Sequence, residues 1–179
     1  MKKTILFFSL LTVATLGFAQ VKQTTSAVVA FDATTPKDAL PKAENKTVIA
    51  EINTKTGQIG FEAAVKNFSF SNPVIQEHFN EERWMNSGKF PAFTFQGKIN
   101  DAQQYNFAKN GVYNVTVTGQ LTVKDKSTVL TTPATIEVKN GNLTAAASFT
   151  ITLADYGINV GDGSKIAPQP KITVSADLK

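Results

Sequence analysis

The sequence predicts an all-β fold, an eight-stranded antiparallel barrel with one short helix between the third and fourth strands. Three observations support this prediction. Apolar and polar residues alternate strictly from Tyr113 to Val123, which is typical of a strand with one buried face. The pair Asn140-Gly141 is a strong hairpin signal. Eight segments in all have strand character, and eight strands are about enough to close a sheet around a packed core or one ligand.

The first nineteen residues have the layout of a secretory signal peptide. Lys2 and Lys3 precede an apolar run that ends at Phe18, and the small residue Ala19 stands before a cleavage site at Gln20. A retained membrane anchor is the alternative, but the run is shorter than the ~20 apolar residues that span a bilayer. We therefore expect residues 1–19 to be removed and residues 20–179 to form the mature domain.

The mature chain divides into strands separated by turn-forming residues. The third predicted strand is long, and the last begins just after Pro170, where a missing N–H does little harm. Long strands favour a closed barrel because closure removes their unpaired edges. The predicted strands are Ser26–Ala33, Thr47–Asn53, Gly57–Phe70, Ala92–Asn100, Val112–Lys124, Thr128–Lys139, Asn142–Asp155 and Ile172–Leu178.

Two hairpin turns predict the register of three consecutive strands. With Asn140-Gly141 in one turn, Val138 faces Leu143 and Ile136 faces Ala145. With Asp125-Lys126 in the preceding turn, Leu121 faces Leu130, Val115 faces Ile136 and Tyr113 faces Val138. A slip of one residue would reverse the faces, so both hairpins indicate one shared apolar face.

One helix is predicted between the third and fourth strands, over about three turns from Pro73 to Asn86. Asn72 is a good capping residue and Pro73 suits the first helical position. Ile75 and Phe79 lie on one helical face, and Ser87-Gly88 ends the pattern.

The residue inventory argues against catalysis and against a metal or cofactor. The chain has no Cys and a single histidine, His78, so it lacks the ligands of a zinc site. None of its serines lies in a Gly-x-Ser-x-Gly elbow of the kind that positions a catalytic nucleophile. A pair of carboxylates at a barrel mouth stays open as an alternative. Without Lys2 and Lys3 the net charge falls from +4 to +2, which is too small and dispersed to indicate nucleic-acid binding.

The segment from Glu77 to Ile99, EHFNEERWMNSGKFPAFTFQGKI, resembles the YceI-like family of polyisoprenoid-binding proteins. Further similar motifs are Thr118–Val123, TGQLTV, and the DYGI sequence that ends at Ile158. The resemblance covers most of the mature chain and lies in the order and spacing of these motifs.

This resemblance implies a lipocalin-like barrel, exported to the periplasm or beyond it, with an elongated apolar cavity for an isoprenoid chain. A polyprenyl phosphate or a quinone is the implied partner, and neither nucleic acid nor a stable membrane span is expected. The 13 Phe residues suit a cavity wall or a solid core. The alternative is therefore a non-catalytic envelope interaction or stress protein whose barrel is filled; a homodimer is also left open.

The predicted cavity lining follows from the shared apolar face and from inward Phe residues of neighbouring strands. His78 and Trp84 are assigned to the rim, where they would meet a lipid head group or pack the helix against the barrel. The predicted lining residues are Phe61, Val65, Phe93, Phe95, Val115, Val117, Leu121, Ile136, Phe149 and Ile151.

The processing prediction can be tested by mass. We expect the protein in the cell-envelope fraction to begin at Gln20, because the charged start, the apolar run and Ala19 match a signal-peptidase substrate. Intact-mass spectrometry measures this directly. A mass that still includes Met1 to Ala19 would contradict the prediction.

Overall fold

The computed structural model describes residues 20–179, in which all strands belong to one antiparallel sheet. Most strands alternate between buried and exposed side chains, as one-sided packing around an interior requires. The strands are β1 (Val21–Asp32), β2 (Lys42–Asn53), β3 (Gln58–Ala64), β4 (Ser69–Phe70), β5 (Ala92–Ile99), β6 (Gly111–Val123), β7 (Lys126–Lys139), β8 (Asn142–Thr150) and β9 (Lys171–Leu178).

The sheet closes on itself, so the predicted eight-stranded barrel is confirmed. The strand order is β1-β9-β8-β7-β6-β5-β3-β2, and β1 pairs with β2 to complete the ring. The two-residue β4 adds to the edge of β2, where Ala43 pairs with Phe70. Closure leaves the long strands without free edges, which would otherwise expose unpaired N–H and C=O groups.

The predicted register of the β7–β8 hairpin is confirmed. The predicted register of the β6–β7 hairpin is wrong, because the two turn residues lie one position earlier in the chain. Val138 pairs with Leu143 as predicted from the Asn140-Gly141 turn. In the β6–β7 hairpin, Val123 pairs with Lys126, so the turn holds Lys124-Asp125 rather than Asp125-Lys126. Lys124 adopts the positive φ of 57° that the first position of such a turn requires.

This correction moves every β6–β7 partner by two residues. Leu121 faces Thr128 instead of Leu130, and Val115 faces Ala134 instead of Ile136. Because the side-chain period of a strand is two, the inward face predicted for both strands is unchanged.

Four predicted strands differ from the observed ones by more than two residues at one end. β1 and β2 begin earlier than predicted, because their pairing extends from Val21–Asn53 to Asp32–Lys42. The predicted strand 57–70 is interrupted by a 3-10 turn at Val65–Asn67. The predicted strand 142–155 ends at Thr150 and is followed by a 3-10 turn at Leu153–Tyr156.

The single α-helix within residues 20–179, α1 (Pro73–Asn80), is shorter than the predicted three turns. Its start is as expected: the Asn72 side chain accepts a hydrogen bond from the Val74 N–H at 2.9 Å. The helix ends at Glu81, which is extended, and the acidic pair at Glu81 and Glu82 opposes the negative end of the helix dipole. Among the helices of the described chain, none has the length and apolarity needed to cross a bilayer.

The connections gather at the two ends of the barrel. The loops 33–41, 65–91 and 151–170 and the Lys124-Asp125 turn lie at one end, which we call the open end. The turns 54–57 and 140–141 and the segment 100–110 lie at the other, the closed end.

The closed half of the barrel has a solid core. Its inward side chains are almost inaccessible to solvent, and Phe107 from the segment 100–110 packs in the same cluster at the closed end. The core residues of this half are Ala27, Ala50, Ile99, Ala102, Phe107, Val115, Val138, Leu143, Ala176 and Leu178.

A buried asparagine joins β2 to the end of β3. Asn45 is 0% exposed and lies where the β1–β2 pairing is irregular. Its Nδ2 donates to the Ala64 carbonyl at 2.9 Å, and its Oδ1 accepts from the Thr47 N–H at 2.8 Å. Both halves of the amide are therefore satisfied inside the barrel wall.

We predict that Asn45→Ala lowers the free energy of unfolding by about 1–3 kcal/mol, since it removes a fully buried amide together with its part-buried hydrogen bonds to the Ala64 carbonyl and the Thr47 N–H. Urea denaturation measures the change. The control is Asn142→Ala, an exposed position in the hairpin, which should change stability by less than about 0.5 kcal/mol. Equal effects of the two substitutions would contradict a structural role for the buried amide.

Candidate functional site

The open half of the barrel contains a cavity of about 500 Å³. It lies within the size range of small-molecule sites. Its barrel wall consists of inward residues from β1 to β9, with small side chains on one side, among them Ala134, Ala145 and Ala147. The cavity exists because these side chains are too small to meet across the barrel.

Phenylalanines form the opposite wall at the open end. The rings of Phe31 and Phe79 are stacked, with centroids 5.7 Å apart, and Phe70 lies 5.0 Å from Phe79. Phe68 bridges this group to Phe93 at 5.7 Å. The wall thus combines residues of β1, β4, β5 and α1 into one apolar surface without polar atoms.

A second buried cluster closes the other side of the open end. Val65, Met85, Val123, Tyr156 and Ile158 pack together there. The hydroxyls of Tyr156 and Thr128 share a hydrogen bond. Burial raises the pKa of the Tyr156 phenol above its usual value, so this phenol stays neutral at physiological pH.

Few charged groups border the cavity. Of the lining residues in the described chain, only Asp38, His78 and Lys165 carry ionisable side chains, and all three belong to open-end segments. The Asp38 carboxylate accepts the Leu40 N–H at 2.8 Å. His78 Nε2 lies 3.9 Å from Glu81 Oε1, which is too far for a hydrogen bond.

Two of the open-end loops are joined to each other. The Thr35 hydroxyl donates to the Ser164 carbonyl at 2.7 Å, and the Ala167 N–H donates to the Ala33 carbonyl at 2.8 Å. These bonds hold Asp38 and Lys165 at the same side of the opening.

A pair of glycines leaves space for the ring of Phe95. Gly97 and Gly119 face each other across β5 and β6. A Cβ on Gly97 would lie 2.7 Å from Phe95 Cζ, and one on Gly119 would lie 2.6 Å from the same atom. Because neither residue has a side chain, the Phe95 ring can lie along the wall instead of projecting across the cavity.

The structure places most of the residues predicted for the site around this one cavity. Val65 and Val115 do not line it: Val65 begins the 3-10 turn after β3 and packs in the second cluster, and Val115 belongs to the solid core of the closed half. The predicted residues that line it are Phe61, Phe93, Phe95, Val117, Leu121, Ile136, Phe149 and Ile151, with His78 and Trp84 at the open end.

Sequence reasoning missed the lining residues of β1, β4, α1 and the loop before β9. Phe31, Phe70, Ile75, Phe79 and Ile166 also line the cavity. Ile75 and Phe79 had a signal in the apolar stripe of the predicted helix, and Phe31 and Phe70 lie in the predicted strands Ser26–Ala33 and Gly57–Phe70. The described chain contains no cluster of three or more His, Asp or Glu side chains that could hold a metal ion.

The protein-family model of the YceI-like domain matches residues 9–178 of this sequence. The chain belongs to the YceI-like family. The match spans the whole described barrel and confirms the family resemblance noted in the sequence. None of the curated proteins matches the chain significantly.

Solved structures with this fold include other YceI-like proteins. A polyisoprenoid binding domain from Saccharophagus degradans, implicated in plant cell wall breakdown, is 12% identical, with a TM-score of 0.76 over 89% of this chain and 98% of that one. BcnA from Burkholderia cenocepacia is 17% identical, with a TM-score of 0.69 over 86% and 96%.

A third similar structure is the YCEI protein of Campylobacter jejuni. It is 16% identical to this YceI-like chain, with a TM-score of 0.53 over 74% of this chain and 80% of that one. At such low identities the likeness concerns the fold.

The hollow and solid halves predict different costs of truncation. We expect Leu143→Ala, in the solid core, to lower the free energy of unfolding by about 2–5 kcal/mol because it creates a new cavity. Leu130→Ala, which enlarges an existing one, should cost less than about half of that. Thermal or urea unfolding of the two variants measures the difference, and equal costs would mean that the open half is also filled.

Proposed function

We propose that this protein is exported and binds the apolar chain of an isoprenoid-type lipid, such as a polyprenyl phosphate or a quinone, inside the barrel. The observation that carries this proposal is the continuous apolar cavity of about 500 Å³. The family membership supports it, as does the fold shared with a polyisoprenoid binding domain.

Burial of hydrocarbon is comparable in free energy to the cost of association. Each buried CH₂ group contributes about 0.8 kcal/mol, so fifteen enclosed carbons would contribute on the order of 12 kcal/mol. Association costs roughly 4–15 kcal/mol. A chain of this size therefore reaches the threshold for binding without any charged contact, which suits a cavity wall made of Phe, Val, Ile and Ala side chains.

The head group would stay at the open end. Asp38, His78 and Lys165 border the cavity there, whereas the deepest lining residues, such as Ile52 and Ile136, are apolar. A phosphate or quinone oxygen buried among these residues would lose its hydrogen bonds to water without replacement. We therefore propose that the tail enters first, with His78 and Trp84 near the head group.

The role that follows is sequestration or transport rather than catalysis. Among the described residues, Asp38, His78 and Lys165 do not hydrogen-bond to one another, so the cavity has no acid–base pair of the kind that hydrolytic enzymes use. The alternative, an interaction protein with a filled barrel, would need side chains where the cavity lies. The void supports the carrier role over this alternative.

Filling the cavity without adding charge tests the proposal. We expect Ala147→Phe to reduce the amount of lipid that co-purifies with the protein, measured by native mass spectrometry, because Ala147 lines the cavity. The matched control is Ser148→Phe, the next residue of β8, which is exposed and should leave lipid capture unchanged. Unchanged capture by Ala147→Phe together with a lower melting temperature would favour the filled-barrel alternative.

A further inference from the structure

We propose that the cavity encloses only the terminal three to four isoprene units of a lipid tail, and that a floor at the level of Val117 and Ile136 sets this limit. The inference rests on the proposed function and concerns the length of chain that the site accepts.

The floor is the level at which the inward residues of a strand no longer line the cavity. On β7, Ile136 lines the cavity, whereas Val138, two residues further on the same face, does not. On β6 the same boundary falls between Val117 and Val115. Val138 and Val115 are 2% and 3% exposed and belong to the buried core, so the cavity lining of β6 and β7 ends at Val117 and Ile136.

Aromatic packing closes the barrel end below the floor. Phe107 lies 5.1 Å from Tyr113 and 5.8 Å from Tyr105, measured between ring centroids. The Tyr113 hydroxyl donates to the Asn106 carbonyl at 2.6 Å, which fixes the segment 100–110 under the core. The Asn140 N–H donates to Asn110 Oδ1 at 2.9 Å and joins this segment to the β7–β8 turn. A tail therefore has no exit at the closed end.

The depth of the hollow half follows from strand geometry. The lining residues of β7 run from Leu130 to Ile136, a distance of about 20 Å along the strand at ~3.4 Å per residue. Strands in such barrels tilt by about 35–45°, so the corresponding depth along the barrel axis is about 15 Å.

The tail length that fits can be compared with this depth. Three bonds of an extended chain advance about 3.5 Å, so the four-bond repeat of an isoprenoid advances about 5 Å. Three units fit along the axis, and four fit if the tail follows the tilted strands. Longer tails would leave their remaining units and the head group outside the barrel.

A series of isoprenoid monophosphates with two, three, four, six and eight units tests this limit. We expect the affinity of the purified protein, measured by displacement of a fluorescent fatty acid, to rise at least about tenfold per unit up to three or four units. Beyond that length the affinity should stay constant within about threefold. A continued rise to eight units would overturn the inference.

Variants of the floor separate a length limit from a general loss of binding. Val117→Phe raises the floor, so the plateau should begin about one unit earlier. Ile136→Ala deepens the cavity, so the plateau should begin about one unit later. The matched control is Val138→Ala, which is equally buried on the same strand but lies below the floor. It should lower the unfolding midpoint and leave the plateau at its original length.

The outcomes distinguish this inference from the proposed function. If the wild-type protein binds no isoprenoid of any length, the proposed function fails. The second outcome is that the wild-type protein binds isoprenoids, that Val117→Phe and Ile136→Ala are both folded by circular dichroism, and that the plateau of affinity is unmoved in both. The floor then does not set the tail length that the cavity accepts. If Ile136→Ala does not fold, Ile136→Val replaces it beside Val117→Phe as a separate variant. The expected shift of the plateau is then smaller for Ile136→Val.

Discussion

Closure of the sheet by β1 is the constraint on which the rest of the structure depends. β1 pairs with β2 on one side and with β9 on the other, so each of the eight long strands has a paired neighbour on both sides. An eight-stranded ring has an interior of nearly fixed width. The side chains that point inward then decide whether that interior is filled or empty.

Side-chain size along the strands divides the interior into two halves. In the closed half, the neighbouring strands β6 to β9 contribute Val115, Val138, Leu143 and Leu178, which belong to one buried cluster. In the open half, β8 contributes Ala145 and Ala147 instead. The same backbone is therefore solid at one end and hollow at the other, and no large movement is needed to create the cavity.

The glycine pair of β5 and β6 contributes to the same division in a different way. A side chain at Gly97 or Gly119 would collide with the Phe95 ring and also with the facing backbone, for example at 2.5 Å from the Gln96 carbonyl oxygen for Gly119. Their absence lets the strands approach closely and lets a large aromatic residue cover the wall. Apolar surface is thus retained there without loss of cavity width.

The sequence by itself determined the barrel, its strand count and its inward face, because these depend on a local period of two and on turn residues such as Asn140-Gly141. Tertiary structure decided the turn at Lys124-Asp125, the end of α1 at Asn80, and the interruption of the third strand at Val65. It also decided where the cavity ends. Val115 and Val117 have the same character and the same strand face in the sequence, and both are buried in one core cluster that includes Phe107 of the segment 100–110, but only Val117 also lines the cavity. Contacts between segments far apart in the chain have no local sequence pattern, which is the physical reason that this boundary could not be predicted.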